Sequence, residues 1–348
     1  MILLLFIKYC LSYKSINFTF SHLYKNSFSS GSFFTICSFI KNVNIYNSRF
    51  NRFFSPLLYG KKTNINISFS EFTHGLSSIV KIERDEFVCK NSVYMLNSDE
   101  IMINGCTFKY SNNNPLFFFL KDNVNNFTIK NCIFSECSFS ALMSCLSIKN
   151  IVFTNTSIIS CSFSDNPFEK NYQNQKLVTN FNMFNCNISN CKFTTAISFS
   201  FQNTSINELK VTENMFNTNK ILEFYQTKVN IISLQLLNNT YDNTEHTDNS
   251  DLVFRECDLS CFKMENSIIY YNYPRNEDSY HLYFSGLNTK IIITIRNCCF
   301  EYDEDKWVRK DQQLITTFEN NGCKYYFPYE FEYGIIRNRK VKLKLLKE

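Results

Sequence analysis

Apolar and polar residues alternate along this chain in an eight-position pattern that recurs many times. Positions 1 and 3 are apolar, position 5 is usually Asn or another turn-forming residue, and position 8 is Phe or another apolar residue. Alternation with a period of two is typical of a strand with one buried face. Five clear copies are Ile101–Phe108, Phe127–Phe134, Phe181–Ile188, Leu252–Leu259 and Ile293–Phe300.

Position 5 predicts a sharp bend inside each copy. Asn is the non-glycine residue that most readily adopts a left-handed backbone, and the chain has 46 Asn but only 7 Gly. One such residue between two alternating segments turns both inward faces toward the same interior. The predicted bend residues are Asn47, Gly105, Asn131, Asn150, Asn185 and Asn297.

Further copies begin at positions 16, 43, 65, 80, 146, 209, 234 and 262, and most starts are 18–28 residues apart. The intervals from 65 to 80 and from 252 to 262 are too short for a full coil. In those places one match is another strand of the same coil, or chance.

A strand, bend and strand repeated at this spacing predicts stacked parallel turns. The predicted fold is all-β, a single-stranded right-handed parallel β-helix solenoid of about 10–12 coils. It spans residues 16–300, residues 1–15 are a signal-like segment or N-terminal cap, and residues 301–348 are the last coil, a cap and a basic tail.

The chain has 15 cysteines, and several occupy position 6, next to the predicted bend. A buried free Cys behaves as a small apolar residue, which suits a crowded corner. The alternative is stacked disulfides between coils, although side chains in parallel register rarely offer the required torsion. Because Cys298 and Cys299 are adjacent, at most one of them points into this core. The position-6 cysteines are Cys106, Cys132, Cys186, Cys257 and Cys298.

The pattern of apolar positions around a central Asn resembles the strand, Asn-bend and strand segment of right-handed β-helix proteins of the pectin-lyase-like superfamily. It is also similar to β-helix repeat regions in surface proteins of unicellular eukaryotes. The resemblance covers residues 16–300 and implies a fold. It does not imply one activity, because the superfamily includes lyases, hydrolases, adhesins and scaffolds.

Enzymes of that superfamily combine several acidic residues with an Arg, or paired Asp residues with a Gly-His-Gly. Here the one His-Gly dipeptide is His74-Gly75, without a flanking Asp pair. The acidic runs at 248–251 and 303–305 are interpreted as loops, and the four His are scattered. We therefore predict no catalytic, cofactor-binding or metal-binding residues. Three acidic side chains clustered with an Arg on one outward strand face would favour an enzyme.

The net charge is +5, and much of it lies in the tail Arg337–Lys347. A nucleic-acid-binding protein usually carries a basic face through its fold, so no nucleic-acid partner is expected. The tail is either solvated or in contact with an acidic lipid or protein surface. No apolar run of about 18 residues occurs, so no transmembrane helix is predicted.

These observations favour a non-enzymatic scaffold or a binding or adhesion protein that contacts a protein or carbohydrate along its length, outside the cell or at its surface. One alternative is a degenerate polysaccharide lyase or hydrolase. Another is a thiol-rich intracellular structural protein, for which all 15 cysteines would be free thiols.

Overall fold

The computed structural model describes residues 15–19, 22–26, 34–36, 42–53, 58–60, 64–74, 80–82, 100–113, 116–119, 124–145, 148–170, 180–242, 250–270, 272, 279–286, 291–300, 307–310, 314–319 and 321. The signal-like segment before residue 15 and the basic tail after residue 321 lie outside these ranges. So does the acidic run at 303–305.

Within those ranges the chain forms strands and no helix. The first strands are β1 (Ser15–Thr19), β2 (His22–Asn26), β3 (Phe34–Ile36), β4 (Asn42–Tyr46), β5 (Arg49–Phe53), β6 (Leu58–Gly60), β7 (Asn64–Ser68), β8 (Glu71–Thr73), β9 (Val80–Ile82), β10 (Glu100–Asn104), β11 (Thr107–Lys109), β12 (Asn112–Asn113) and β13 (Phe117–Phe119). The next are β14 (Val124–Lys130), β15 (Ile133–Ser135), β16 (Ser138–Phe139), β17 (Met143–Cys145), β18 (Ile148–Thr154), β19 (Ser157–Ile159), β20 (Ser162–Phe163), β21 (Phe168–Lys170), β22 (Asn180–Ser189), β23 (Lys192–Phe193), β24 (Ile197–Phe199), β25 (Asn203–Thr212) and β26 (Met215–Phe216). The last are β27 (Lys220–Tyr225), β28 (Lys228–Leu237), β29 (Thr240–Tyr241), β30 (Ser250–Arg255), β31 (Asp258–Glu265), β32 (Ile268–Tyr270), β33 (Tyr280–Ser285), β34 (Ile291–Arg296), β35 (Cys299–Phe300), β36 (Val308–Lys310) and β37 (Leu314–Glu319).

The strands pair in parallel with their counterparts in the next repeat of the chain and form four rows. The first row contains β1, β4, β7, β10, β14, β18, β31, β34, β37 and the first halves of β22, β25 and β28. The second row contains β2, β5, β8, β11, β15, β19, β32, β35 and the second halves of the same three strands. Together these two rows form one 20-stranded sheet.

The third row is the six-stranded sheet of β12, β16, β20, β23, β26 and β29. The fourth row holds a six-stranded sheet of β3, β6, β9, β13, β17 and β21, followed by a five-stranded sheet of β24, β27, β30, β33 and β36. Paired residues in the first row are separated by 22 to 36 positions in sequence. The predicted all-β class with long parallel sheets is confirmed, and the arrangement is consistent with a β-solenoid.

Single residues with a left-handed backbone separate the rows and form three corners, with φ between 47° and 72°. The first corner, between the first and second rows, contains Asn47, Phe69, Gly105, Asn131, Asn155, Asn185, Glu208, Asn266 and Asn297. The second corner, between the second and third rows, contains His74, Tyr110, Glu136, Ser160, Asn190, Glu213 and Asn238. The third corner, after the fourth row, contains Gln226, Glu256 and Gly286.

Asn150 does not lie at a corner. It is the third residue of β18, paired with Asn126 and Asn180, and this repeat bends at Asn155 instead. The octet assigned from residue 146 was therefore wrong in register, because Ile151 and not Leu146 pairs with Phe127. Both segments alternate apolar and polar residues around an Asn, so the sequence pattern alone does not distinguish them.

The interior is lined by residues that alternate inward, such as Ile101 and Ile103 in β10. Buried Phe rings stack between repeats in several columns. In the second row, Phe50, Phe72, Phe108 and Phe134 stack with centroids 4.6–5.0 Å apart. In the fourth row, Phe199, Phe224, Phe254 and Phe284 stack at 4.6–5.2 Å.

Candidate functional site

The residue that follows most of the left-handed bends is small, polar or a thiol, and it points inward; Leu209, after Glu208, is an exception. At the first corner these positions include Ser48, Ser70, Cys106, Cys132, Thr156, Cys186, Ser267 and Cys298, all of them buried. At the second corner they are Ser111, Cys137, Cys161, Cys191, Asn214 and Asn239. We refer to each stacked set as a corner column.

Hydrogen bonding explains this choice of side chain. In a corner column, the backbone N–H of one residue donates a hydrogen bond to the side chain of the equivalent residue in the next repeat. Ser48 N–H reaches Ser70 Oγ at 3.2 Å, and Cys161 N–H reaches Cys191 Sγ at 3.4 Å. A small side chain that accepts a hydrogen bond therefore suits these positions, since a buried N–H without an acceptor is costly.

The corner thiols also act as donors, each to the carbonyl oxygen two residues before it. Cys132 Sγ donates to Lys130 O at 3.2 Å, and Cys298 Sγ donates to Arg296 O at 3.2 Å. The sequence reasoning treated these cysteines as small apolar residues. In the structure they are buried and free, and they also satisfy two backbone groups at each corner.

Cys257 belongs to a different column from the other four predicted cysteines. It follows Glu256 at the third corner, because Leu252 lies in β30 of the fourth row. Its Sγ donates to Phe224 O at 3.3 Å. Thr227 occupies the equivalent position one repeat earlier, after Gln226.

The two adjacent cysteines also differ. Cys298 is free and belongs to the core, whereas Cys299 is disulfide-bonded.

Burial keeps several of these thiols protonated at neutral pH. It raises the pKa of Cys186 and Cys257 to about 11 and that of Cys298 to about 12. A hydrogen bond with Cys161, followed by burial, raises the pKa of the Cys137 thiol. Because the thiolate is the reactive form, these thiols are poor nucleophiles.

Two ladders of Asn side chains, which we call the strand ladder and the corner ladder, run along the outside of the first-row strands. The strand ladder contains Asn126, Asn150, Asn180 and Asn203. Each side-chain amide donates a hydrogen bond to the side-chain oxygen of the Asn in the preceding repeat, at 2.8–3.0 Å. The corner ladder contains Asn104, Asn131, Asn155 and Asn185. Its amide-to-oxygen hydrogen bonds are 3.0–3.1 Å long. These ladders place a regular array of amide groups on the outer surface.

A buried polar cluster lies between β29, β30 and β33, and the sequence reasoning missed it. Tyr241 Oη donates to Asp251 Oδ1 at 2.7 Å, and His281 Nδ1 lies 2.7 Å from Asp251 Oδ2. Asp251 and His281 are completely buried, so they contact no solvent. Asp251 had been interpreted as part of a loop, but it lies inside a strand.

A signal for this cluster was present in the sequence. The segments Ser250–Arg255 and Tyr280–Ser285 both carry Leu and Phe in the third and fifth positions, and the structure pairs them in register. Aligning the two segments would have placed Asp251 beside His281.

Charged side chains on the outer faces pair with one another. Arg296 contacts Glu319 at 2.7 Å and Glu265 at 3.9 Å, and Lys263 also contacts Glu265, at 3.2 Å. This group has two carboxylates rather than the three that would favour an acid-rich enzyme site. No set of three or more His, Cys, Asp or Glu arranged to hold a metal ion occurs in the part of the chain described.

Two bulky aromatic residues occupy corner positions: Phe69 at the first corner, where most other repeats have Asn or Gly, and Tyr110 at the second corner. Phe69 has φ of 51° and is 53% exposed, and Tyr110 has φ of 53° and is 49% exposed. The Tyr46 ring meets Phe69 edge-on at 5.4 Å, and the His74 ring stacks on Tyr110 at 5.3 Å. We call these four residues the aromatic corner patch.

No protein family, curated protein or solved structure matches the chain. Among the described residues, no helix is long and apolar enough to span a membrane.

Proposed function

We propose that this chain is a non-enzymatic binding rod at the cell surface, built as a single right-handed parallel β-helix of the kind found in the pectin-lyase-like superfamily. Parallel pairing between successive repeats supports this architecture. Connections between parallel strands of one sheet are right-handed in about 98% of cases, which favours that hand.

The aromatic corner patch is the observation that carries the binding function. A bulky residue with positive φ costs about 1–2 kcal/mol, and Asn or Gly would avoid most of that cost. Phe69 and Tyr110 accept this strain and still leave about half of each ring exposed. Strain combined with exposed aromatic area fits contact with an outside partner better than it fits a role in the core.

The chemistry-bearing side chains support a binding role rather than catalysis. The corner thiols satisfy backbone groups, and Asp251 and His281 bond to each other away from solvent. A disulfide at Cys299 fits an oxidising compartment, as at a cell surface. Burial of the free thiols would protect them there.

The proposal can be tested with the full chain and the double variant Phe69→Asn/Tyr110→Asn. Both proteins are passed over immobilised neutral and acidic polysaccharides with and without calcium, and retention and product release are measured. We expect wild type to be retained without releasing products and the variant to lose retention at unchanged or higher stability. A matched control, Ile315→Asn, changes an exposed apolar residue far from the patch and should bind as wild type does.

Release of cleaved sugar by wild type would support the lyase or hydrolase alternative instead. Equal binding by wild type and the double variant would show that the aromatic corner patch takes no part in binding. Surface labelling of the tagged protein in intact cells tests the location separately, and labelling only after cell lysis would contradict it.

A further inference from the structure

Three thiols of the second corner column occupy successive repeats. Cys137, Cys161 and Cys191 each precede a third-row strand, and those strands pair in register. The backbone N–H of Cys161 donates to Cys191 Sγ at 3.4 Å, and the N–H of Cys137 donates in the same way to Cys161. All three are free.

The first two of these thiols line a surface cleft. Its walls include the outward residues Glu136, Ser160 and Lys192 in addition to Cys137 and Cys161. Both residues are at most 3% exposed and their side chains point inward, so the sulfurs lie beneath the surface of the cleft. Their position beside the cleft distinguishes the pair from Cys106 and Cys132, which are also stacked but do not line this cleft.

We propose that Cys137 and Cys161 bind one soft monovalent cation, Cu(I) or its analogue Ag(I), between their sulfur atoms. Thiolates select soft cations such as Cu(I). A linear two-coordinate site needs only two ligands. It is therefore compatible with the lack of larger metal-binding groups in the described residues.

The repeat spacing suits this geometry. Metal–thiolate bonds of about 2.3 Å hold two sulfurs about 4.6 Å apart when the ion lies on the line between them. Parallel strands are about 4.8 Å apart, so two in-register side chains reach that separation with little movement. A disulfide would require the sulfurs to approach to about 2.05 Å with a defined torsion, which in-register side chains rarely allow.

The binding step is balanced without any oxidant. Two S–H bonds break, two sulfur–metal bonds form, two protons pass to solvent, and the metal keeps its oxidation state. The product carries one negative charge. The backbone N–H of Ser111 donates to Cys137, the N–H of Cys137 donates to Cys161, and Lys192 lies in the cleft wall. These donors offset part of the cost of burying the two thiolates.

The test uses the full chain, reduced and kept free of oxygen, titrated with Cu(I) held by a chromophoric chelator. We expect wild type to withdraw one Cu(I) per chain, with an X-ray absorption spectrum of two sulfur neighbours. Cys137→Ser and Cys161→Ser should each weaken binding at least tenfold. Ser111 already occupies this column, so serine keeps the corner hydrogen bonds and the variants should fold.

Cys132→Ser is the matched control, because it removes a thiol from the other stacked pair, and its Cu(I) binding should equal that of wild type. If wild type withdraws no Cu(I), the proposal is wrong whatever the variants do. It is equally wrong if Cys132→Ser loses the ion and Cys137→Ser keeps it. Neither result bears on the aromatic corner patch, so this test is independent of the proposed function.

Discussion

At the scale of single residues, most corners combine one left-handed residue with one small hydrogen-bonding residue. Asn occupies eight of the seventeen non-glycine positions with positive φ, and Glu occupies four of them. Asn tolerates this conformation through local hydrogen bonds of its side chain. Glu, Phe and Tyr also occupy corners, so the conformation is not confined to residues that favour it.

Gly105 provides a direct test of corner packing. A Cβ added there would lie 2.7 Å from Phe69 Cδ1, and φ is +63°. We expect Gly105→Ala to lower the free energy of unfolding by about 1–3 kcal/mol in urea titrations, through both strain and steric clash.

In a Phe69→Ser background the clash disappears and only the backbone strain remains, so the same substitution should cost about 1 kcal/mol. An equal loss in both backgrounds would show that the Phe69 ring does not restrict this corner.

The corner thiols predict a pH dependence of stability. Burial raises the pKa of Cys186 from 9.0 to about 11 in the folded chain, so the folded state retains a proton that the unfolded state releases in this range. The contribution of this thiol to the free energy of unfolding is fully present below pH 9 and is lost as the pH rises to about 11.

Tyr and Lys also titrate there, so the comparison is between wild type and Cys186→Ser. The difference in their unfolding free energies, measured from pH 8 to about 11, should change by up to about 1.4 kcal/mol per pH unit above pH 9. A difference that is constant with pH would contradict the prediction.

At the scale of elements, four rows of strands enclose one core, and polar contacts connect rows where apolar packing is interrupted. The Asp251 cluster is the clearest case, since it joins β29 of the third row to β30 and β33 of the fourth. The His281 ring also lies over Phe300 of the second row, with centroids 5.5 Å apart. This cluster couples three rows in the C-terminal part of the described chain.

Removing one member of the cluster should remove a buried polar contact of another. We expect His281→Ala and Asp251→Ala each to lower the unfolding free energy by about 3–5 kcal/mol. The double variant should lose at least about 1 kcal/mol less than the sum of the single losses, because it removes both partners together. Chemical denaturation of the four proteins measures this coupling, and strict additivity would show that the two side chains do not interact.

At the scale of the whole molecule, each repeat mainly contacts the repeats beside it. In such an assembly, stability is close to a sum of local terms and nearest-neighbour terms. Phe153 illustrates this, since its ring contacts Phe127, Phe168 and Phe181 within 5.4–6.5 Å.

Phe153→Ala should therefore destabilise the chain locally, with a loss of about 3–5 kcal/mol. Hydrogen exchange should show the largest loss of protection in β14, β18 and β22 and a much smaller loss in β34. The conservative variant Phe153→Leu should keep most of the protection. Equal loss along the whole chain would mean that the molecule unfolds as one cooperative unit.

The sequence by itself determined the all-β class, the parallel stacking and the inward positions. These follow from a period-two pattern interrupted by single left-handed residues, and that pattern is local. It also indicated that a copy at a short interval is another strand of the same repeat or a chance match, and Val80 lies in the fourth row and not in the first.

Only the tertiary structure decided which corner each copy forms. All three corners require a strand, a left-handed residue and a second strand, so one template matched all of them. For this reason Cys257 was placed in the wrong column, and Asn150 was mistaken for Asn155. The hydrogen-bonding role of the thiols and the pairing of Asp251 with His281 depend on contacts between repeats, which a local pattern does not contain.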